Sequence, residues 1–432
     1  MSGEGAISEQ GKRHVVLVAY YFPPLGGSGV QRVAKWARYL PEAGWDVTVL
    51  TVEPGAYFAF DETLLDEVKD AGIRIVRTRT LDPTSTRKGK RPVRQLSERK
   101  RRILTWLTGF FFLPDNKRGW RRNARSAFDL VTETGPVDVV LSSAPPYTAL
   151  MVGDELAAHL GVPHVVDYRD DWVDNPRHRY PTLYHKRWHI RTEGEILARS
   201  ALVLTINDTI AGLVRKRKSD AAVEVVPQGY DPEDFPSVRV ERPSDGKIRI
   251  VYAGMFYDAQ QPDTLLQAAS RLLEEQPSLR NRMELRFVGL FPDGKTGLIS
   301  AYGLQDVVTL TGYKSHQDTV EELQQADILW MIVGHQPGGH MISTGKLFEY
   351  MGSGRPILAL APEGEVRSAL QGYGAAWTVD PADVGAIAQA LGELMQLAIS
   401  GELPVGSPAW ITRYDRKEGT HRLATLLESV CS

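Results

Sequence analysis

Apolar positions fall along the chain in short, nearly unbroken runs, separated by stretches in which they recur every three or four residues. His14-Val-Val-Leu-Val-Ala-Tyr20 has no alternating polar face, as expected of a strand covered on both sides in a parallel sheet. It runs into Tyr21-Phe-Pro-Pro-Leu-Gly-Gly-Ser28. From Gly29 onward Val30, Val33, Ala34, Ala37 and Leu40 share one helical face, which Pro41 and Gly44 close. Asp46–Val52 is the next strand. Similar runs recur at Ile73–Val76, Val137–Leu141, His164–Val166, Ala201–Ile206 and Val223–Val226, with helical patterns over Tyr147–Leu160 and Tyr184–Ser200 between them. This alternation predicts an open α/β sheet with helices on both faces.

Val226-Pro-Gln-Gly-Tyr-Asp-Pro-Glu-Asp-Phe-Pro236 and the polar residues after it are dense in turn formers and read as a domain linker. A second series follows: strand Lys247–Ala253, helix Pro262–Glu275, strands Met283–Val288 and Val307–Leu310, helix Ser315–Ala326, strand Asp327–Val333, helix Gly345–Met351, strand Pro356–Leu360 and helix Glu363–Gly372. Trp410–Ser432 reads as one helix with Leu423, Leu426, Leu427 and Val430 on one side. The expected layout is a tail over 1–12, a first doubly wound domain over 13–226, a linker over 227–246, a second such domain over 247–405 and a helical segment over 406–432. Ligands in such sheets bind at the carboxyl ends of the strands, so two halves facing each other would form a cleft.

Composition adds limits. With 432 residues, 42% apolar and 24% charged, the chain is long enough for two or three ordinary domains and too rich in apolar residues for wholesale disorder. Cys431 is the single cysteine, no secretory cleavage pattern precedes the first apolar run, and no apolar stretch approaches the ~20 residues of a membrane span. A cytoplasmic protein is therefore expected. The net charge of −2 hides a local imbalance: residues 87–125 hold fourteen Lys or Arg against Glu98 and Asp115, around the apolar run Ile103–Leu113. That combination suits peripheral contact with the anionic inner face of a membrane, or else a buried helix with a solvated basic flank. No motif for nucleic acid accompanies it.

Candidate chemistry clusters in three places. Gly26-Gly27-Ser28-Gly29 lies between a strand and a helix start, where free amides suit an anion, although a plain connecting turn has the same composition. Ser343-Thr-Gly-Lys-Leu-Phe-Glu-Tyr-Met-Gly-Ser-Gly-Arg-Pro356 places Thr344 as a helix cap, with Gly345 and Lys346 in the first turn. A cation at that end opposes the helix dipole, which argues for a bound phosphate. Glu349 follows three residues later, suited to ribose hydroxyls or to a plain ion pair with Lys346. Asp167, Arg169, Asp170 and Asp171 end a strand. Asp170 is the candidate acceptor-orienting or base-like carboxylate, and an Arg169–carboxylate pair holding the loop is the alternative. Asp170, Asp171 and Asp174 could be mistaken for a metal cluster. Ser142-Ser-Ala-Pro-Pro146 ends another strand.

The ordered set Tyr21–Arg32, Asp167-Tyr-Arg-Asp-Asp-Trp172, Val225-Val-Pro-Gln-Gly-Tyr-Asp231 and Gly345–Pro356 resembles the family-four, retaining, nucleotide-sugar-dependent glycosyltransferases over about residues 14–430. The resemblance implies the GT-B fold, two Rossmann-like domains facing a cleft, with a C-terminal helix crossing back to the first domain. It implies Gly26 and Gly27 near donor phosphates or acceptor, Lys346 at the diphosphate, Glu349 at the ribose, and Gly254, Gly339, Thr344 and Gly345 around the donor. No metal or cofactor is implied beyond the nucleotide-sugar substrate. The expected acceptor is a cell-envelope or polysaccharide glycan, lipid-linked, met at the membrane face. Sugar-nucleotide epimerases share the fold, and a non-catalytic nucleotide-sugar-binding protein is the further alternative. Two departures stand out. Met341 occupies the place of the family's first glutamate, and Gly254-Met-Phe-Tyr-Asp-Ala-Gln-Gln-Pro262 lacks the family's basic pair. The glycines of Gly334-His-Gln-Pro-Gly-Gly-His-Met341, with His335 or His340, are then candidates for the sugar contact, a solvated loop histidine being the alternative.

Overall fold

A computed structural model describes residues 12–55, 60–81, 108–176, 178–235, 245–256, 259–292 and 294–431. The expected tail, apart from Lys12, and the basic stretch 87–107 lie outside them. The chain divides into two compact units, Met1–Val226 with Thr420–Ser432, and Pro227–Gly419.

The first unit is a seven-stranded parallel sheet in the order β3-β2-β1-β4-β5-β6-β7. Its strands are β1 Arg13–Val18, β2 Trp45–Val52, β3 Arg74–Thr78, β4 Val139–Ala144, β5 His164–Tyr168, β6 Leu202–Thr205 and β7 Val223–Val225. The unbroken apolar runs have the expected cause. On β1, Val15 and Leu17 enter one core and Val16 and Val18 another, because helices cover both faces. Leu423, Ala424 and Leu427 complete the first of those cores from the far end of the chain.

The second unit is a six-stranded parallel sheet in the order β10-β9-β8-β11-β12-β13. Its strands are β8 Ile248–Ala253, β9 Met283–Val288, β10 Val308–Gly312, β11 Ile328–Ile332, β12 Ile357–Leu360 and β13 Ala376–Val379. Ile248, Ile250 and Tyr252 of β8 face one core, and Val251 and Ala253 the other. Both sheets are Rossmann-like, as the residue pattern predicted. The strand order reverses between β1 and β4 in one and between β8 and β11 in the other. Crevices outside the carboxyl ends of the strands open at such reversals, and ligands bind there.

Several boundaries differ from expectation. The residues from Trp410 onward are two helices, Pro408–Ile411 and Arg416–Val430, with a tight turn Thr412–Tyr414 between them, and the segment up to Gly419 belongs to the second unit. Asp415 breaks the helix: its carboxylate accepts the Lys417 amide at 2.7 Å, starting a new helix. Part of the expected linker is packed structure. The Tyr230 amide donates to the Tyr414 carbonyl at 3.0 Å, and the Arg416 amide to the Tyr230 carbonyl at 2.9 Å. Strand Ala376–Val379 and helix Val384–Ser400 lie in a stretch for which the pattern gave no element.

Candidate functional site

In the second unit the candidates Gly254 and Lys346, with the helix that carries Lys346, meet at the carboxyl end of β8. Helix Gly345–Gly352 buries Leu347, Phe348, Tyr350 and Met351, with Lys346 and Glu349 half-buried. Tyr350 anchors the helix, its hydroxyl accepting the Ala253 amide at 2.8 Å. Thr344 stands at the cap position but its side chain makes no capping bond, contrary to the expectation from sequence; Thr344 and Gly345 offer the helix start as backbone.

Lys346 turns back across the sheet end. Its Nζ donates to Tyr252 Oη at 2.6 Å and to the Met255 carbonyl at 2.9 Å, and lies 4.3 Å from the Tyr252 ring centroid. The path exists because residue 254 is glycine. With φ of 117°, Gly254 has a conformation that side chains resist, and a Cβ there would lie 2.5 Å from Lys346 Cε. Burial pushes the Lys346 pKa down to about 7, opposed by the negative charge of Glu349. Glu349 also acts on His316, whose Nε2 lies 3.1 Å from Asp234 Oδ2. Burial works to lower the pKa of His316, but the hydrogen bond with Asp234 and the charge of Glu349 outweigh it and raise the pKa to about 9. Sequence reasoning missed both Tyr252 and His316, the first because it sits in an apolar strand run that reads as core.

The loop Gly334–Met341 is buried at Gly334 and Gly339 and exposed at His335, Pro337 and His340. Gly339 is buried in the turn Gly339–Met341, where a Cβ would be 3.2 Å from the Gly334 carbonyl oxygen. His335 pairs with Asp380 at 2.9 Å on the surface, and His340 is exposed. The His335 ring is thus directed to Asp380.

In the first unit, the Gly-rich turn, β4 and β5 meet at the strand reversal. Gly26 is buried, and Gly27 precedes helix Ser28–Tyr39 with φ of 101°, which only glycine adopts readily, so the turn brings backbone amides to a helix start free of a side-chain cap. Two motifs far apart in sequence are one structure here. Arg32, one turn into that helix, pairs with Asp167 at 2.9 Å, and Ser143 donates to the other oxygen of Asp167 at 2.7 Å. Arg169 donates to the carbonyls of Gly29, Ala144 and Pro145, tying the same turn to the ends of β4 and β5.

Asp171 and Asp174 are both engaged by Arg217, Asp174 at 2.8 Å. A guanidinium in that position supplies the positive charge a metal would, and among the described residues no group of acidic, histidine or cysteine side chains is arranged to hold a metal ion. Asp170, half-exposed, lies beside Tyr147 and His178. Burial followed by the Asp170 charge drives the Tyr147 pKa well above its ordinary value. Burial holds the His178 pKa down, against the bond to the Trp172 carbonyl and the charge of Asp170. Tyr147 stacks on Trp172 at 4.8 Å, and the Trp172 indole donates to His189 Nδ1 at 2.9 Å.

The family profile described as "Glycosyl transferase 4-like domain" matches residues 26–229, and that described as "Glycosyl transferases group 1" matches residues 247–397. Among curated proteins, a D-inositol 3-phosphate glycosyltransferase of Kineococcus radiotolerans is 25% identical over 170 residues, which is 36% of this chain and 38% of that protein. The chain spans about two-fifths of the length of the curated relatives it matches. Among solved structures, Anabaena HepE in complex with UDP and glucose has a TM-score of 0.61 at 14% identity, covering 96% of this chain and 100% of that one; the same protein is known with UDP-glucose. A glycosyltransferase from Rickettsia africae has a TM-score of 0.63 at 12% identity, covering 97% of this chain and 98% of that one.

Proposed function

We propose, for a chain that belongs to the family-four glycosyltransferases of the GT-B fold, that it moves a sugar from a nucleotide-sugar donor to an acceptor hydroxyl. The single observation that carries this is the placement of the Lys346 ammonium at the carboxyl end of β8, beside a carboxylate, Glu349, that makes no hydrogen bond or ion pair among the described residues. In this assignment Glu349 accepts from ribose hydroxyls, and Lys346 with the amides of Thr344 and Gly345 meets the diphosphate. Gly254 and Gly339 border the donor, and Gly26 and Gly27 offer amides to an anionic group of donor or acceptor.

In transfer, a bond forms between the acceptor oxygen and the anomeric carbon as the bond from that carbon to the diphosphate breaks. The electron pair moves onto the departing diphosphate, where a preorganised cation and helix amides are worth most. The acceptor proton goes to a carboxylate, for which Asp170 is the candidate. Retention of configuration is supported by the family resemblance, and the basic residues around the apolar run Ile103–Leu113 support a cell-envelope or polysaccharide acceptor that is lipid-linked. HepE with UDP-glucose makes uridine the first base to test.

Purified protein incubated with UDP-, GDP-, ADP- and dTDP-sugars tests the activity. Nucleoside diphosphate release that rises with an added lipid-linked acceptor supports transfer. Conversion of the donor sugar without acceptor would make the protein an epimerase, and tight binding with no turnover would make it a binding protein. Binding is expected to take up a proton. Burial holds the Lys346 pKa down to about 7, and a diphosphate beside it raises that value, so affinity increases as pH falls toward about 7 and levels off below. Calorimetry in two buffers of different ionisation enthalpy reads this directly; equal heats would contradict it.

An anionic membrane surface is the proposed partner of 87–125, at the inner face of the membrane. Its described end supports this: Phe111 is 74% exposed, and the Phe110 ring meets His185, next to Tyr184 and Leu183, which are 67% and 73% exposed. No helix among the described residues is long and apolar enough to cross a membrane. Cosedimentation with anionic vesicles is expected to fall when Arg99, Lys100, Arg101 and Arg102 are changed to glutamine, and unchanged binding would refute the assignment.

A further inference from the structure

An ammonium on a flexible four-carbon stem is a mobile point charge, and a site gains from it only in so far as something holds it still. Around Lys346 that task falls to an uncharged side chain. Tyr252 is buried on β8, and its ring is locked by stacking on Phe256 at 4.1 Å with an interplanar angle of 7°, with Trp330 4.9 Å away. A ring so held fixes its hydroxyl. Tyr252 Oη donates to the Met255 carbonyl at 2.9 Å, which leaves its oxygen to accept from Lys346 Nζ at 2.6 Å. The same carbonyl takes a second N–H of Lys346 at 2.9 Å.

We propose that Tyr252 is a positioning residue for donor binding, its ring and hydroxyl fixing the Lys346 ammonium against Gly254 so that the third N–H is presented to a diphosphate at the end of β8. This rests on the assignment of Lys346 to the diphosphate made above. Every group in it lies within the second unit, and Tyr252 acts only through Lys346.

The hydroxyl oxygen, as an acceptor, stabilises the charged form of the lysine. Tyr252→Phe keeps the ring, its stacking and its face toward the cation, and removes the hydroxyl with both of its bonds, the one it accepts from Lys346 and the one it donates to the Met255 carbonyl. Among the described residues Glu349 is the charged side chain whose field reaches Lys346, and it is the same in both proteins. The variant should therefore protonate Lys346 less readily, and its nucleotide affinity should begin to fall at a lower pH.

The experiment is calorimetric titration of UDP, GDP and ADP into wild type, Tyr252→Phe and Lys346→Met between about pH 6 and pH 9. Tyr252→Phe is expected to bind about tenfold more weakly near neutral pH, as for loss of one hydrogen bond to a charged group. Its midpoint should lie about one pH unit lower. Phe256→Leu, which loosens the ring without touching the hydroxyl, should weaken binding in the same direction and by less. Wild-type affinity and midpoint in Tyr252→Phe would overturn the proposal. So would a midpoint that moves upward, since that is the signature of an ammonium released into water. Wild-type binding by Lys346→Met would instead refute the assignment of the lysine, and failure of wild type to bind any nucleoside diphosphate would refute both.

Discussion

Lys346→Met is expected to lower the rate of sugar transfer by about a hundred- to a thousandfold, the usual cost of removing one preorganised charge-stabilising group. The reason for a value at the upper end is local. The stretch Gly254–Pro262, where the family's basic pair would stand, contains no lysine or arginine, so the sequence supplies no second cation there. Methionine matches the stem in length and can lie along Gly254 as the lysine does, so the loss reports charge and not a collapsed loop. The fold should be at least as stable as wild type. The folded pKa of about 7 lies below the ordinary 10.5, so between those values the unfolded chain holds the proton more tightly. Wild type therefore gains stability as pH rises from about 7 toward 10.5, and the handicap is complete below 7. The methionine variant lacks that dependence. Steady-state kinetics with thermal unfolding at two pH values checks both halves, and a variant within threefold of wild-type rate would remove Lys346 from the mechanism.

Asp167→Ala is expected to cost the first unit about 3–5 kcal/mol, the range for stripping one partner from a buried ion pair. The Arg32 and Asp167 side chains are 3% and 0% exposed, and Arg32 also donates to the Val226 carbonyl at 2.8 Å and lies 4.2 Å over the Trp36 ring. Without the carboxylate the guanidinium stays enclosed, and the Ser143 hydroxyl loses its acceptor. Replacing both charges, as Arg32→Met with Asp167→Leu, should recover most of the loss, because the penalty is the uncompensated charge rather than the absent attraction. Hydrogen exchange of β1 and β5 amides during denaturant titration isolates this unit from the other. A single variant less than 1 kcal/mol below wild type would show that water reaches the pair.

These cases mark what the sequence could and could not reveal. Strand and helix periodicity exposed both sheets, since a strand covered on two faces has no choice but to be apolar throughout. Lys346 and Glu349 were legible because their spacing on a short helix after a strand restricts where they can point. The Arg32–Asp167 pair was invisible as a pair: each residue lies in a noticed motif, but 135 positions of chain separate them and only the β1-β4-β5 adjacency brings them together. Tyr252 was hidden for the opposite reason. Its ring satisfies the apolar pattern of β8, and nothing in that pattern shows that the hydroxyl at its end meets a cation. The broken helix after Trp410 followed from a side-chain cap at Asp415, a local hydrogen bond that apolar spacing does not register.

The first unit is discontinuous in sequence, and its last core residues, Leu423, Ala424 and Leu427, follow the whole of Pro227–Gly419. During synthesis the second unit has all of its residues available before the first has its closing helix. The earlier-made sheet must therefore wait with an apolar face incompletely covered while its neighbour folds, reversing the usual order in which the N-terminal part is finished first. The loop that closes when the helix docks contains an already folded body, so the entropic cost of bringing its ends together is below that of an unstructured chain of equal length, by about 0.6 kcal/mol for each halving of the flexible length.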